Sequence, residues 1–575
     1  MMNVVITHGY LLRGTGSNLY VSNLARAFCK LGHNVTIFCQ ESSLDGLDYI
    51  GDYFKYNPSN SQMIKINENN EENMNISTKA TLIQPDISDL LPVYVYDEYE
   101  NFTVKEFTEL STEELEAYIT SNKEALANFF ANNKADLVIS NHTIMQPVYT
   151  SRALEKSYIK KPPKHFMVVH GSSLNFSVKN KQLLKEYAVE GIKKVDGCIF
   201  VSNHSKEDFY EYFSDLPGLS EKLHMIPAGV NTEGFLPLCS QSEKYSKINR
   251  LKELLDQKEI NGMDKINRGR TLEDQKDYLS KIIYERSCEE WIRNNLKEIR
   301  ERFDNWSPDR DQDRKIDMID WEKDDVVLFF GKYLWTKGVQ LILAASPLIL
   351  LKNPNAKFIF VGFGSSREIF EALAYALDTN NEHIYESILK RSESMDPEGG
   401  GPAYNYFQGL FDKLNENDFR EKYYNCAKNN IFERTIFTGI MDHKKLQNLI
   451  PVVDLTVAPS IFPEAFGMIA VESLASGVIP LVTNHSGFKD VKKIYTRELK
   501  KSSILKKHDE IMKKLSPLNL NSQIVFNLAN NTNLLLDLNR KLTSEERIEL
   551  GQQAHEIAAK NFSWDKIAKG YLQLL

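Results

Sequence analysis

Two glutamates, Glu464 and Glu472, bracket an aromatic–glycine step in the run PEAFGMIAVE, residues 463–472. Carboxylates accept hydrogen bonds from hydroxyl groups, and backbone N–H groups at the start of a helix attract anions. These groups together suit a ligand that carries a diphosphate and many hydroxyls, as a phosphorylated sugar does. The same glutamates could be the acid and base of a glycoside hydrolase, although a hydrolase of neutral sugars would not use a phosphate cradle. A helix with solvated glutamates is the third interpretation, and the apolar neighbours count against it.

The apolar residues around this run predict the elements that hold the two glutamates. Residues 452–458 predict a buried strand, and apolar residues recur at helical spacing after Gly467. Glu464 is therefore expected on the loop at the carboxyl end of a strand, and Glu472 more than one turn into a helix. The backbone N–H groups of Phe466, Gly467 and Met468 would lie between them, at the helix N-terminus.

Two lysines occupy a similar loop earlier in the chain. Lys332 and Lys337 follow the predicted strand Val326–Phe330. Two cations five residues apart at a strand end can both reach one diphosphate. A pair of solvated lysines is the alternative. Gly362 ends the next predicted strand and would let the backbone approach a ligand closely, but as a lone motif it is equally typical of a turn.

The first half of the chain carries a glycine-rich turn and histidines at predicted strand ends. Gly16 lies in the run GTGSN after the first strand and opens the first helix. The run lacks the third glycine of the dinucleotide fingerprint, so a plain tight turn is as good an interpretation. His142 and His170 follow consecutive strands, and His8 follows the first strand. They are candidates for a ligand cleft, with structural histidines as the alternative.

The composition bears on the partners and the cellular compartment of the protein. The chain has 575 residues, ordinary hydrophobic and charged fractions, and a net charge of −8, which argues against a nucleic-acid partner. Basic clusters near residues 160–164 and 179–185 could touch an anionic membrane surface or a substrate, or simply face solvent. The six cysteines have no zinc or redox spacing, which favours a reducing compartment.

Segments that could target the chain or bind metal are not predicted. The chain opens directly into a strand, so no signal peptide is expected, and the apolar run 339–351 is too short and interrupted to cross a bilayer. Asp309, Asp311 and Asp313 have part of a calcium-loop spacing, but Arg314 occupies the glycine position. No metal site is therefore expected.

Alternating strands and helices predict two α/β domains with parallel sheets. The first domain is expected over residues 1–235 and the second, nucleotide-binding one over 323–545. Residues 236–322 are densely charged and predict a helical insertion or linker. Residues 378–425 predict another helical insertion. Residues 546–575 predict a C-terminal helix that packs on the first domain. Residues 41–110 are polar and predict loops with one short strand at 93–96.

Taken in chain order, the motifs resemble those of glycosyltransferase family 4, the retaining enzymes of the GT-B fold. The resemblance covers most of the chain apart from the two insertions, and it is carried by the following runs: Gly14–Tyr20, Leu31–Val35, Val169–Gly171, Ile226–Asn231, Gly331–Gly338, Val361–Gly364, Phe437–Gly439 and Pro463–Glu472, which is the family's Glu-x7-Glu signature. It implies two Rossmann-like, doubly wound domains that face each other across a cleft.

The resemblance also implies roles for individual residues. Glu464 would bind donor-sugar hydroxyls and Glu472 the ribose, while Lys332 and Lys337 would hold the diphosphate. The backbone amides of Phe466, Gly467 and Met468 would contact the sugar and the phosphate. Gly16 and Gly362 would approach the donor or the acceptor. His170 would lie near the anomeric carbon, and Ile440 would lie beside the base. The family usually has arginine in place of Lys332; lysine keeps the charge but lacks the bidentate fork.

The implied reaction is metal-independent transfer of a hexose, with retention, from a UDP- or GDP-linked sugar to a hydroxyl of a glycan, lipid or small molecule. No cofactor beyond the sugar nucleotide is expected, and the implied location is the cytoplasm, with peripheral contact at the inner membrane face left open. A nucleotide-sugar epimerase of similar fold, a GT-B phosphorylase with a pyridoxal-bearing lysine, and a non-catalytic sugar-binding protein are the rival interpretations.

Overall fold

The computed structural model describes residues 1–14, 16–68, 76–95, 99, 102–256, 268–285, 287–390 and 404–575. The chain divides into two compact units. The first unit comprises Met1–Gly229 and Asn561–Leu575, and the second unit comprises Val230–Lys560. The charged residues 236–322 thus belong to the second unit, and residues 391–403 of the predicted insertion 378–425 lie outside the described residues.

The first unit is built on a parallel sheet. Its strands are β1 (Asn3–Thr7), β2 (Asn34–Phe38), β3 (Ile50–Asn57), β4 (Gln62–Glu68), β5 (Ala80–Gln84), β6 (Leu90–Val93), β7 (Thr103–Glu106), β8 (Leu137–Asn141), β9 (Lys164–Val169), β10 (Gly197–Phe200) and β11 (Leu223–Met225). Among the described residues the main sheet has the order β11-β10-β9-β8-β1-β2-β5-β3-β4, and only the β3–β4 pair is antiparallel. The strand order reverses between β1 and β8, which makes their carboxyl ends a topological switch point.

The prediction that residues 41–110 are mostly loops is wrong, because this stretch supplies β3 to β7. β4 is exposed or nearly so along its whole length, so it has no buried face to give an alternating pattern. In β3 the buried residues Ile50, Tyr53 and Tyr56 are three apart, and the register shifts next to β5 and β4. β-Bulges break the two-residue period by which a strand is recognised in a sequence.

The helices of residues 1–229 are α1 (Ser17–Lys30), α2 (Thr112–Asn132), α3 (Gln146–Lys156), α4 (Gln182–Lys194) and α5 (Asn203–Tyr212). The sequence predicts strands over residues 4–7, 35–39, 136–140, 166–169 and 197–201, and these bounds lie within two residues of those observed for β1, β2, β8, β9 and β10. Short apolar runs that end at a polar or small residue are typical of strands buried between two helical layers, which is why these predictions succeed.

The second unit contains a smaller sheet with its own switch point. Its strands are β12 (Asp325–Lys332), β13 (Ala356–Phe363), β14 (Thr435–Phe437), β15 (Leu455–Ala458) and β16 (Pro480–Val482). Among the described residues they run in the order β14-β13-β12-β15-β16, all parallel. The order reverses between β12 and β15. The prediction of an α/β fold with two Rossmann-like, doubly wound sheets is confirmed.

Helices make up much of the second unit. They are α6 (Gln241–Asp256), α7 (Leu272–Ser280), α8 (Cys288–Trp291), α9 (Lys297–Arg302), α10 (Gln312–Asp317), α11 (Val339–Leu350), α12 (Arg367–Asp378), α13 (Glu382–Lys390), α14 (Tyr404–Leu414), α15 (Asn417–Ala427), α16 (His443–Leu449), α17 (Met468–Ala475), α18 (Ser486–Leu499), α19 (Ser503–Lys507), α20 (Asp509–Lys514), α21 (Ile524–Lys541) and α22 (Ser544–Phe562). The apolar run at 339–351 forms the buried helix α11.

Buried ion pairs fix the charged helical segment, residues 268–317, to α12. Arg367 donates two hydrogen bonds to Asp309, at 2.8 and 2.7 Å, and Arg270 pairs with Glu368. All four side chains are inaccessible to solvent. Buried charges are tolerated only when they are paired, so the segment has a defined position on the second unit.

The last helix, α23 (Trp564–Leu572), belongs to the first unit. The hydroxyl groups of Tyr571 and Tyr20, on α1, are hydrogen-bonded at 2.6 Å. The ring of Trp564 meets that of Tyr20 edge-on, with centroids 5.2 Å apart. The C-terminal stretch predicted as a helix over residues 546–575 forms two helices, α22 and α23, with the break at Ser563.

Candidate functional site

The switch point of the second sheet brings Lys337 and Glu464 together. Lys337 ends a 3-10 turn (Trp335–Lys337) after β12, and Glu464 lies on the loop after the neighbouring β15. Lys337 Nζ donates a hydrogen bond of 2.6 Å to Glu464 Oε1. Their side chains are 29% and 19% exposed, so the pair is partly shielded and still reachable by a ligand. Ligands of open α/β sheets bind at such points.

The two loops that carry this pair are locked against each other. The carbonyl of Thr336 accepts hydrogen bonds from the Ile461 N–H, at 2.9 Å, and from Ser460 Oγ, at 3.0 Å. Gly338 has φ +78°, and a Cβ there would lie 2.0 Å from the Pro459 carbonyl oxygen. Only glycine fits this close approach, which sets the position of Lys337.

The backbone of Glu464 is bound on both sides by the start of α18. Its N–H donates to Ser486 Oγ at 2.8 Å, and its carbonyl accepts from the Gly487 N–H at 2.9 Å. Glu464 is therefore placed by hydrogen bonds from a helix that begins after β16. Sequence patterns alone give Ser486 and Gly487 no role in the site.

Residues 466–468 form the N-terminus of α17, as predicted. Gly467, with φ +104°, precedes the first helical residue, and a Cβ there would lie 2.4 Å from the ring of Phe488. Phe466 is buried, whereas Met468 is 37% exposed. The positive end of the helix dipole thus lies on the loop that carries Glu464, as an anion site requires.

Glu472 lies in the second turn of α17, and its carboxyl group is 3.8 Å from His443 Nε2. Burial raises the pKa of Glu472 to about 8. Burial also lowers the pKa of His443. Both shifts favour the neutral forms, so at pH 7 the contact is polar rather than an ion pair. A neutral carboxyl group can donate as well as accept a hydrogen bond.

Three predicted residues occupy the ends of β12, β13 and β14. Lys332 is exposed, with its Nζ 5.8 Å from the ring centroid of Trp306. Gly362 approaches the neighbouring strand closely, since a Cβ would lie 1.9 Å from the Gly331 carbonyl oxygen. The carbonyl of Ile440 accepts a hydrogen bond of 2.9 Å from Gln312.

The first unit holds Gly16 and His170. Gly16 precedes α1 with φ +61°, and the space beside it is open, whereas its neighbour Thr15 lies outside the described residues. The His170 ring is 3.0 Å from Asn141 Oδ1. Burial lowers the pKa of His170 to about 3, so the ring is neutral at ordinary pH.

The three histidines at the carboxyl edge of the first sheet lie together. The ring centroid of His142 is 4.7 Å from that of His170 and 5.8 Å from that of His8. His8 and His142 are buried, and burial lowers both pKa values, that of His8 to about 4. His142 has φ +68°, a backbone conformation that is rare outside glycine.

The described ranges contain neither a metal-binding cluster of side chains nor a membrane-crossing helix. No group of three or more His, Cys, Asp or Glu residues there is arranged to hold a metal ion. No described helix combines the length and the apolar character needed to cross a membrane.

Comparisons with known proteins match part of the second unit to a family. Residues 407–509 match the model of the family described as glycosyl transferases group 1. An uncharacterized glycosyltransferase of Methanocaldococcus jannaschii is 23% identical over 178 residues, 31% of this chain and 31% of that protein. Lipopolysaccharide 1,2-N-acetylglucosaminetransferase of Salmonella typhimurium is 23% identical over 157 residues, 27% and 34% of the two chains. The chain therefore spans about a third of the length of these curated relatives.

Solved structures with a similar course of the chain have low sequence identity. Sucrose-phosphate synthase from Thermosynechococcus elongatus aligns with 100% of this chain and 98% of its own, at 15% identity and a TM-score of 0.48. HepE of Anabaena, in complex with UDP and glucose, aligns with 100% of this chain and 99% of its own, at 12% identity and a TM-score of 0.48.

Proposed function

We propose that the protein is a retaining glycosyltransferase that moves a hexose from a UDP- or GDP-linked sugar to a hydroxyl acceptor in glycan, glycolipid or glycoconjugate synthesis. The observation that carries this proposal is the Lys337–Glu464 pair, at 2.6 Å, on the loop that leads into the N-terminus of α17. One site thus offers a cation and backbone amides for a diphosphate, and a carboxylate for sugar hydroxyls.

The leaving nucleoside diphosphate gains negative charge as the bond from the sugar C1 to the phosphate oxygen breaks. Lys337, Lys332 and the amides of residues 466–468 would stabilise that charge, and such preorganised groups supply much of the catalysis in transfer reactions. The acceptor oxygen would attack C1 from the same face, and its proton would pass to the departing phosphate. The lysines and amides do this work without requiring a metal.

The two glutamates would hold the donor at its two ends. Glu464, fixed by Lys337 and Ser486, would accept hydrogen bonds from hydroxyls of the donor sugar. Glu472, with its pKa near 8, would carry its proton at pH 7 and could both donate to and accept from the ribose hydroxyls. Both residues then position the donor, which differs from the acid and base roles of a hydrolase.

The family match over residues 407–509 and the two relatives named as glycosyltransferases support the proposal. The roles proposed for Gly16 and His170, the implied GT-B arrangement of the units and the cytoplasmic location remain predictions. So does a peripheral membrane contact.

Binding of nucleotide sugars to the whole protein tests the proposal first. In a thermal-shift panel, a nucleotide present at about 100 times its dissociation constant raises the free energy of unfolding of the protein by roughly 2.7 kcal/mol. The stabilising sugar nucleotide is then incubated with glycan, lipid and sugar acceptors, and the anomeric configuration of the product is determined by NMR. We expect transfer with retention. An inverted product, or an epimerised sugar nucleotide formed without acceptor, would contradict the proposal, as would binding without turnover with any acceptor.

A further inference from the structure

A second pocket lies at the same sheet edge of the second unit, beside the site described above. It has a volume of about 310 Å³. Lys332 and Gly364, from the ends of β12 and β13, form one wall, and Arg268, Arg300 and Trp306, from the charged helical segment, form the other. The segment that the family resemblance leaves unexplained thus contributes side chains at the carboxyl edge of the sheet.

The pocket is cationic. Lys332, Arg268 and Arg300 face one acidic residue in its lining, Asp304. The two carboxylate oxygens of Asp304 already accept hydrogen bonds, from the Trp306 N–H at 3.0 Å and from Ser307 Oγ at 2.7 Å. Within the part of the chain that the structure describes, no carboxylate forms an ion pair with Lys332 or Arg268. Lys332 and Arg268 thus add positive charge to the pocket that no carboxylate pairs with, which suits a phosphate-bearing ligand.

The guanidinium group of Arg300 is fixed at the pocket by contacts of one of its nitrogen atoms. Its Nη2 donates a hydrogen bond of 2.6 Å to the Ser365 carbonyl and lies 3.6 Å from the buried carboxylate of Glu368. Its side chain remains 43% exposed. A guanidinium fixed at one edge keeps its other N–H groups for a ligand.

Trp306 adds a flat apolar surface beside these cations. Its side chain is 56% exposed, whereas Trp291, Trp335 and Trp564 are buried. The centroid of the indole ring lies 4.6 Å from the centroid of the Phe363 ring. The ammonium group of Lys332 lies over the indole. An exposed indole next to cations is the arrangement on which proteins stack nucleobases while they bind the phosphates.

The position of Trp306 is set by contacts between its segment and β14. Pro308 forms an isolated β-bridge with Gly439, and Gln312 Nε2 donates to the carbonyls of Thr438, at 2.7 Å, and Ile440, at 2.9 Å. Trp306 is therefore tied to the loop that contains Ile440, the residue that the family resemblance implies beside the base of the donor.

We infer that this pocket is a nucleotide subsite supplied by the helical segment, in which Trp306 stacks on the base and Arg268, Arg300 and Lys332 bind phosphate oxygens. The inference rests on the proposed function for the identity of the nucleotide as that of the donor. It assigns to residues 268–306 a part in donor recognition that goes beyond the Glu464–Glu472 loop.

Fluorescence of the intact protein tests the inference, because Trp306 is the most exposed of its tryptophans. UDP and GDP should quench Trp306 and protect it from acrylamide, whereas inorganic pyrophosphate should bind without this protection. Trp306→Leu should weaken nucleotide binding about 10-fold, equivalent to about 1.4 kcal/mol, and leave pyrophosphate binding unchanged. Arg300→Gln and Arg268→Gln should weaken both ligands. Arg250→Gln, on the exposed face of α6, is the matched control and should change neither.

The outcomes separate this inference from the proposed function. If Trp306→Leu and Trp306→Phe bind UDP and GDP as well as the unaltered protein, or if pyrophosphate protects Trp306 equally well, the base does not stack there and the inference is wrong. Transfer activity that persists in those variants would leave the proposed function intact. Nucleotide binding that depends on Trp306, in a protein that transfers no sugar, would support the inference and reject the function.

Discussion

Lys337 and Glu464 come from loops that follow neighbouring strands, 127 positions apart in the chain, and their side chains meet at 2.6 Å. The lysine is therefore held by the carboxylate that would bind the sugar. Such a pair fixes the direction of both groups before any ligand arrives, which lowers the reorganisation required during the reaction.

Replacing Lys337 by Gln should reduce kcat by about 100-fold, because one preorganised cation at the leaving group is lost. Steady-state kinetics with the preferred sugar nucleotide measure this. Lys513→Gln, an exposed lysine on α20 paired with Asp509, is the control and should behave like the unaltered protein. An unchanged kcat in Lys337→Gln would show that the lysine does not act on the leaving group.

Gly338→Ala should destabilise the second unit by roughly 1–3 kcal/mol, as overpacking does, because its Cβ would meet the Pro459 carbonyl. The displaced loop should also weaken nucleotide binding through Lys337. Gly218, with φ +72° and open space around it, gives the comparison. Gly218→Ala should leave nucleotide binding unchanged. Equal binding by both variants in calorimetric titration would argue against a locked loop.

Glu472 should make the protein less stable as the pH rises from about 4.5 to 8. Its pKa is raised by burial to about 8 from 4.5, so the folded state holds a proton that the unfolded state releases in this range. Stability then falls with rising pH. Denaturant unfolding at pH 5 and pH 8 should show this, and Glu472→Gln should flatten the difference. If Glu472→Gln lost as much stability between pH 5 and pH 8 as the unaltered protein, the pH dependence would come from other groups.

Asp309→Asn should destabilise the second unit strongly, by roughly 3–5 kcal/mol, because the buried Arg367 guanidinium loses the carboxylate that accepts two of its hydrogen bonds and keeps only Glu371 as a counter-charge. Lys315, which also bonds to Asp309, would keep only the more distant carboxylate of Asp311, at 3.5 Å. Asp320→Asn, on an exposed residue paired with Lys323, should cost almost nothing. Urea unfolding of both variants measures the difference, and similar values would mean that the buried pair contributes little.

The first unit should lose stability as the pH falls below about 6.5. Burial lowers the folded-state pKa of His8 to about 4 from 6.5, so the unfolded state binds a proton that the folded state does not. Stability then falls by about 1.4 kcal/mol per pH unit for this histidine between those values. His8→Asn should reduce the slope in unfolding experiments between pH 7 and 4.5. A variant with an unaltered slope would show that His8 is not buried in this way.

Sequence patterns predicted the part of the fold in which the residues favour the same secondary structure that their burial in the core requires. The buried strands β12, β13 and β15 are short apolar runs, and the position of Glu464 after one of them and of Glu472 within a helix followed directly. β3 and β4 were missed because bulges and solvent exposure remove the alternating pattern.

Other features depend on contacts that a sequence does not display. The pKa of Glu472 follows from burial by surrounding residues, and Trp306 lies in a charged stretch whose composition predicts only a helical insertion. Its neighbour Lys332 is 26 positions further along the chain. The bond between Ser486 and Glu464 likewise requires knowledge of where α18 begins.

The packing of α23 on α1 affects the order in which the protein can fold during synthesis. Tyr20 precedes its partner Tyr571 by 551 positions, so Tyr571 is translated only after the whole of the second unit. Until then the α1 surface around Tyr20 lacks its cover of Trp564 and Tyr571 and exposes aromatic surface. The first unit can therefore be completed only after residues 230–560 have been translated, and a nascent chain stalled within them would be a natural client for chaperones.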